Sequence, residues 1–267
     1  MTSFSLSRRD FLKLGLTAVA SLVTPPLRLK NDPAGPEEIP VFEHGSPLRP
    51  YVALTYDDCY LVTILHELED ILAEHPEVKI TLFPVGWALL NNERKDPGIW
   101  KRFYEKGHEF GYHSFNHIGA TVMSTKALIE DYDRWYDALT QVLGEEAPVR
   151  FARPTYGLVS RSLANMCEEK GLTIVMWSRG WGGPYENAAR AIRETQPGDV
   201  VLMHTRSDDM FNTRKGLEVN AGRGLEFTTL STLYTGWLLD TSGLSHGPPG
   251  PPAPIPIEPP PIPPPMR

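Results

Sequence analysis

Short runs rich in apolar and β-branched residues alternate along this chain with stretches whose apolar residues recur every three or four positions. YVALTY (51–56) predicts a strand, and Leu61, Ile64, Leu65, Leu68, Ile71 and Leu72 behind it line one face of a helix. KITLFPV (79–85) predicts a second strand. Pro97 starts a helix through Ile99, Trp100 and Phe103, Gly107 lies just past its end, and HEFGY (108–112) follows as a short third strand. Ser124 is placed to cap a long helix carrying Leu128, Ile129, Tyr132, Trp135, Tyr136 and Leu139, which Gly144 closes. VRFA (149–152), LTIVMW (172–177), DVVLMH (199–204) and LEFTTL (225–230) complete seven strands, with helices expected near 160–170, near 185–195 and from about Ser231. Strands separated by helices form a mostly parallel sheet, and right-handed crossovers make a closed or nearly closed α/β barrel its simplest arrangement.

The pattern stops at both ends. Near the start, Ser7, Arg8, Arg9, Phe11, Leu12 and Lys13 lead into an apolar stretch over 14–23, the arrangement of a twin-arginine signal. That stretch falls short of the roughly 20 apolar residues a bilayer crossing takes, so no permanent membrane span is expected in the mature form. The twin-arginine export machinery becomes a partner, and the destination is the periplasm, the cell wall or the medium. At the other end, residues 243–267 hold 12 of the chain's 26 prolines, which fix φ and remove amide donors, so an extended, disordered tail is expected. The 267 residues thus divide into a signal (1–30), a linker (31–49), one folded domain (50–240) and a proline-rich tail (241–267). A net charge of −7 without a long basic run argues against nucleic acid as a partner. The only two cysteines, Cys59 and Cys167, read as isolated buried thiols.

Chemistry enters at the strand ends. GHEFGYHSFNHIG (107–119) holds three of the eight histidines, with His113 and His117 four positions apart. If the chain turns helically there, both imidazoles share one face and can hold one metal ion. The spacing alone fits a polar loop equally well. In a parallel barrel, however, the carboxyl ends of all strands lie on one face. Asp57 and Asp58 follow the first strand at once, His113 the third, Arg153 the fourth, Trp177 the fifth and His204 the sixth. One carboxylate and two imidazoles suit a catalytic zinc with open positions, or another divalent transition metal, while the second carboxylate can take a proton. Which aspartate does which is open on this reading. His204 is a candidate general acid.

These residues resemble the polysaccharide deacetylases, the nodulation-protein B homology family of carbohydrate esterases. LTYDDC resembles the T-F-D-D-G motif, GHEFGYHSFNH the G-H-E-[IL]-G-x-H-[ST]-x-x-H segment, ARPTYG the R-P-P-[YF]-G motif and PGDVVLMHT the last catalytic strand, in order from about Tyr51 to Leu233. The resemblance implies a distorted, closed or incomplete (β/α)7 barrel and a metal-dependent hydrolase that removes acetyl groups from N- or O-acetylated glycans. It also implies Asp57 as base, Asp58, His113 and His117 as metal ligands, Arg153 orienting Asp57, the amide near Tyr156 holding the oxyanion, and His204 as acid. Trp177, Trp181 and Tyr185 are candidates to stack on sugar rings, with rim packing as the alternative.

Three positions depart from the family pattern. Cys59 replaces the usual glycine, at a turn that needs positive φ, and sets a thiol beside the site; cysteine ligation is the alternative there. In MWSRGWGGPY (176–185), Arg179 and Gly180 stand where the fourth motif carries an aspartate that pairs with the third-motif arginine. Thr155 replaces a second proline. GLSHG (243–247) fits a serine-hydrolase elbow only in pattern, because it opens the proline-rich tail rather than a strand–turn–helix.

Overall fold

The computed structural model describes residues 39–242; the expected signal and the proline-rich tail lie outside them. The first strand, β1 (Tyr51–Asp58), is buried along nearly its whole length, as a strand flanked on both sides by parallel neighbours must be. It pairs in parallel with β2 (Thr81–Pro84) and with β7 (Val200–His204), and β2 pairs with β3 (Glu109–Phe110). A bridge between Tyr112 and Ala152 carries the ladder on to β4 (Phe151–Ala152), which pairs with β5 (Thr173–Ile174). The ring closes through β6 (Arg179–Gly180), which pairs with β7. A last strand, β8 (Glu226–Thr228), pairs with the start of β1. The expected distorted barrel is therefore present, with every named strand pair parallel.

Among the described residues eight α-helices surround it: α1 (Val62–Glu74), α2 (Gly86–Lys95), α3 (Ile99–Glu105), α4 (Thr125–Leu143), α5 (Arg161–Lys170), α6 (Tyr185–Arg193), α7 (Ser207–Asn220) and α8 (Leu230–Ser242). The apolar stripe of α1 is buried at Leu65, Leu68, Ile71 and Leu72. Helix α4 begins where Ser124 Oγ accepts the Ala127 amide and ends at Gly144 in the left-handed region (φ 74°), as its cap residues predict. Among the described residues no helix is long and apolar enough to cross a membrane. Cys59 and Cys167 are both buried and unbonded, as expected.

Four expectations need correction. The fifth strand, expected over 172–177, is shortened to β5, and β6 follows it as an unexpected separate strand; between them the Met176 carbonyl accepts from the Arg153 guanidinium at 3.0 Å. Residues 39–49, expected to end a linker, belong to the barrel: the Phe42 amide donates to the Ile174 carbonyl (2.8 Å) and the Gly45 amide to Gly198 (2.7 Å), bridging β5 to the start of β7. Helices α2 and α7 were not anticipated. In α7 the buried face is mostly polar (Asp209, Asn212, Thr213, Asn220), so no apolar period announces it. Finally, the segment between His113 and His117 is not helical.

Candidate functional site

The register of the sheet assembles the site. Asp57 lies opposite Phe83 of β2 on one side and His204 of β7 on the other, all at the carboxyl ends of their strands. Asp58 follows with φ 71° and Cys59 with φ 61°, so the chain leaves β1 through two consecutive left-handed residues. Asn92 of α2 holds that turn by donating to the Cys59 carbonyl at 2.7 Å, and the Val85 amide donates to the Asp58 carbonyl at 3.0 Å.

The histidine loop is brought to the same place by backbone strain rather than helical geometry. Ser114 (φ 65°) and His117 (φ 58°) both adopt the left-handed region. Asp131 of α4 fixes the loop, its Oδ1 accepting from the Phe115 amide at 2.8 Å and the Tyr112 hydroxyl at 2.5 Å. Tyr156 has φ 59°, and with it every positive-φ residue other than glycine among the described residues lies on the turns that form this site. Such conformations cost about 1–2 kcal/mol each for non-glycine residues and concentrate at functional sites.

The side chains of Asp58, His113 and His117 offer ligand atoms that all lie within 4.8 Å of one another. His117 Nε2 is 3.2 Å and His113 Nε2 3.6 Å from Asp58 Oδ1, yet this buried carboxylate oxygen completes no hydrogen bond. His113 Nδ1 is 2.8 Å from the Arg153 carbonyl, which can only accept. A proton therefore sits on Nδ1, so in the neutral ring the lone pair is at Nε2, directed toward Asp58. An unpartnered buried oxygen facing imidazole nitrogens is a donor set that fits a divalent cation. Burial works against charge on Asp58, but His113 and His117 more than offset it and hold its pKa below the usual carboxylate range. Burial likewise opposes the protonated form of His113, and Asp57 and Asp58 outweigh it, raising its pKa.

Asp57 is turned the other way. Its Oδ1 accepts from Arg153 at 3.1 Å, and its Oδ2 lies 3.9 Å from His113 Nε2, facing the cluster. Arg153 is 1% exposed; it also donates to Thr55 Oγ1 (2.6 Å) and lies over the Phe83 ring at 4.5 Å. Its Nε has no partner. The fourth-motif segment supplies none, because it carries Arg179 and Gly180 in place of a carboxylate, and Arg179 Nε itself donates to Asp199 at 2.7 Å. His204 is half-buried, and the buried Asp209 of α7 fixes its backbone, Oδ2 accepting from the His204 amide and Oδ1 from the Gly183 amide, each at 3.0 Å. The Tyr156 ring packs edge-on against His117 with centroids 4.6 Å apart.

The family model for polysaccharide deacetylases matches residues 44–175. A Listeria monocytogenes peptidoglycan-N-acetylglucosamine deacetylase is 31% identical over 194 residues, 68% of this chain and 38% of that protein. The chain belongs to the polysaccharide deacetylase family. An uncharacterised 30.6 kDa protein of Geobacillus stearothermophilus is 28% identical over 179 residues, 63% of this chain and 64% of its own. This deacetylase-family chain thus spans less than two thirds of either relative. Its fold matches that of a family pseudoenzyme from Bacillus anthracis (TM-score 0.65, 19% identity, 74% of this chain and 69% of that one).

The candidate residues Asp57, Asp58, His113, His117, Arg153, Tyr156 and His204 therefore share one end of the barrel, and Trp177 is half-buried beside Arg153, 5.9 Å from the guanidinium. Trp181 does not join them. It is fully buried, donates from Nε1 to Thr195 Oγ1 at 3.0 Å and packs against Phe227, so it has no face to offer a sugar. Cys59 is also corrected as an alternative ligand: it lies outside the cluster, and burial pushes its thiol pKa up, further from thiolate. Residue patterns missed Asn92, Asp131 and Asp209, which position the site, and Tyr60 and Trp87, stacked at 5.2 Å beside His117.

Proposed function

We propose that this chain is an exported, zinc-dependent deacetylase that hydrolyses acetyl groups of an N- or O-acetylated glycan. The observation that carries the reading is the buried, unpartnered Asp58 Oδ1 facing two imidazoles, one of them locked in the tautomer that leaves Nε2 free. Asp58, His113 and His117 would hold the metal, which when bound polarises the acetyl carbonyl and acidifies a water molecule. Asp57, fixed through Oδ1 by Arg153, takes the proton of the attacking water at Oδ2. The Tyr156 amide, which has no hydrogen-bond partner among the described residues, donates to the carbonyl oxygen as negative charge builds there. His204, beside Asp57 in the sheet, protonates the departing nitrogen or oxygen. Export rests on the twin-arginine pattern at Ser7–Lys13, outside the described residues.

A second reading, a metal-bearing glycan-binding domain with weakened turnover, is favoured by one observation: Arg153 Nε lacks the partner the fourth motif would supply. Bound metal and acetate release from acetylated glycans, measured on the exported protein and on Asp57→Asn, separate the two. Zinc near one equivalent in both, with acetate from the parent alone, supports the deacetylase. Zinc in both and acetate from neither supports the binding domain, and absence of metal from both overturns the first reading.

A further inference from the structure

The mouth of the site is chemically lopsided. On the His117 side it is aromatic and apolar: Trp87 is 39% and Tyr156 62% exposed, with Ile118 beside them at 43%. On the His204 side stands a cation the proposed chemistry does not use. Arg206, two residues beyond His204, is held in extended backbone (φ −126°, ψ 159°) at the start of α7 and is 65% exposed. Its Nη2 reaches to 4.0 Å from Asp58 Oδ2, yet its guanidinium makes no hydrogen bond among the described residues. The two imidazoles approach the other oxygen of that carboxylate, Oδ1.

A guanidinium held only by a long ion pair of 4.0 Å at one nitrogen, and 65% exposed, still presents a planar fork of donors that matches a carboxylate bidentately. The chain's net charge of −7 does not veto an anionic ligand, since exposed charges beyond about 8–10 Å are screened at physiological salt. We infer that Arg206 selects an acetylated glycan bearing a carboxylate within one sugar residue of the acetyl group. Apolar sugar faces then lie against the Trp87 and Tyr156 side. The inference rests on the deacetylase reading for its ligand, and it names the substrate class of that same site. Two sources carry this chemistry: lactyl-ether amino sugars, as in peptidoglycan strands, and uronic acids, as in glucuronoxylan.

Binding to the zinc-loaded full chain carrying Asp57→Asn tests it without turnover. The probes are peptidoglycan strands freed of stem peptides, acetylated glucuronoxylan, and each glycan with its carboxylates reduced to alcohols. At least one intact glycan should bind about fivefold tighter than its reduced form, a preference that shrinks with added salt. Arg206→Gln should abolish that preference and Arg206→Glu invert it, and whichever glycan shows it identifies the source. Equal affinity for intact and reduced forms of both glycans overturns the inference, as does a preference that survives Arg206→Gln. Acetate release by the parent is assayed separately, so loss of the deacetylase reading and loss of carboxylate selection are distinguishable.

Discussion

Replacing Arg153 by methionine tests whether the buried Asp57–Arg153 pair holds the proposed base in place. Methionine keeps an unbranched apolar stem over the Phe83 ring and deletes the donors to Asp57 Oδ1, Thr55 Oγ1 and the Met176 carbonyl. Thr55 Oγ1 still donates to the Val201 carbonyl at 2.7 Å, so its loss is partial. Breaking a buried ion pair from one side costs about 3–5 kcal/mol, because the remaining charge stays buried and uncompensated. Asp57 is 4% exposed, so Arg153→Met should destabilise by about 4 kcal/mol. Asp57→Asn leaves the guanidinium buried against a neutral acceptor and should cost about 2 kcal/mol. The double variant has no stranded charge, so its cost should fall short of the sum by about 2 kcal/mol, the scale of one charged hydrogen bond.

Urea unfolding of the full chain at pH 7 with chelator present gives the four free energies without a metal contribution. Additivity within about 0.5 kcal/mol would mean the two side chains do not act as a pair. A loss below about 1 kcal/mol for Arg153→Met alone would mean that Asp57 finds its compensation elsewhere.

Asp131→Ala removes the acceptor shared by the Phe115 amide and the Tyr112 hydroxyl; zinc affinity, measured by competition with a chelating dye, should fall about tenfold or more as the histidine loop loosens. Gly86→Ala would put a Cβ 2.4 Å from the Phe115 ring and 3.0 Å from its Cα, inside that same loop, and should cost about 2 kcal/mol, read as a drop in melting temperature. His108 is buried, its Nδ1 takes the Ile80 amide at 3.3 Å, and burial, aided by Lys79 and Lys106, lowers its pKa to about 4 from 6.5. The unfolded chain therefore takes up that proton first as pH falls. The contribution is complete above pH 6.5 and is lost toward pH 4, worth about 3 kcal/mol. His108→Gln should flatten that part of the stability profile relative to the parent, and an unchanged profile would refute the assignment.

The parts legible in the sequence are those whose burial is apolar. Strand β1 reads clearly because a parallel strand covered on both faces is a continuous apolar run, and α1 and α4 read clearly because their inner faces are apolar at helical spacing. Helix α7 was invisible for the opposite reason. Asn212 donates to the Trp181 and Gly183 carbonyls, Thr213 pairs with the Tyr56 hydroxyl, and Asp209 holds the His204 and Gly183 amides, so the inner face that positions the site is polar. Asp131 did leave a signal: it falls inside the α4 stripe between Leu128 and Trp135, and a carboxylate in an apolar stripe asks for a buried partner.

Of the left-handed turns only Cys59 was signalled, by the glycine it replaces; Asp58, Ser114, His117 and Tyr156 carry no common mark of positive φ. Those turns are also why the histidine spacing misled. Four residues of helix would set the imidazoles one above the other, whereas a strained loop pinned by Asp131 aims both at Asp58 and frees the chain between them to pack Phe115 against Gly86. At about 1–2 kcal/mol for each such residue, the site stores strain comparable to a sizeable fraction of a domain's net stability. The buried hydrogen bonds that Asn92 donates and Asp131 and Asp209 accept therefore hold the proposed site in shape, although none of the three belongs to the Asp58–His113–His117 cluster.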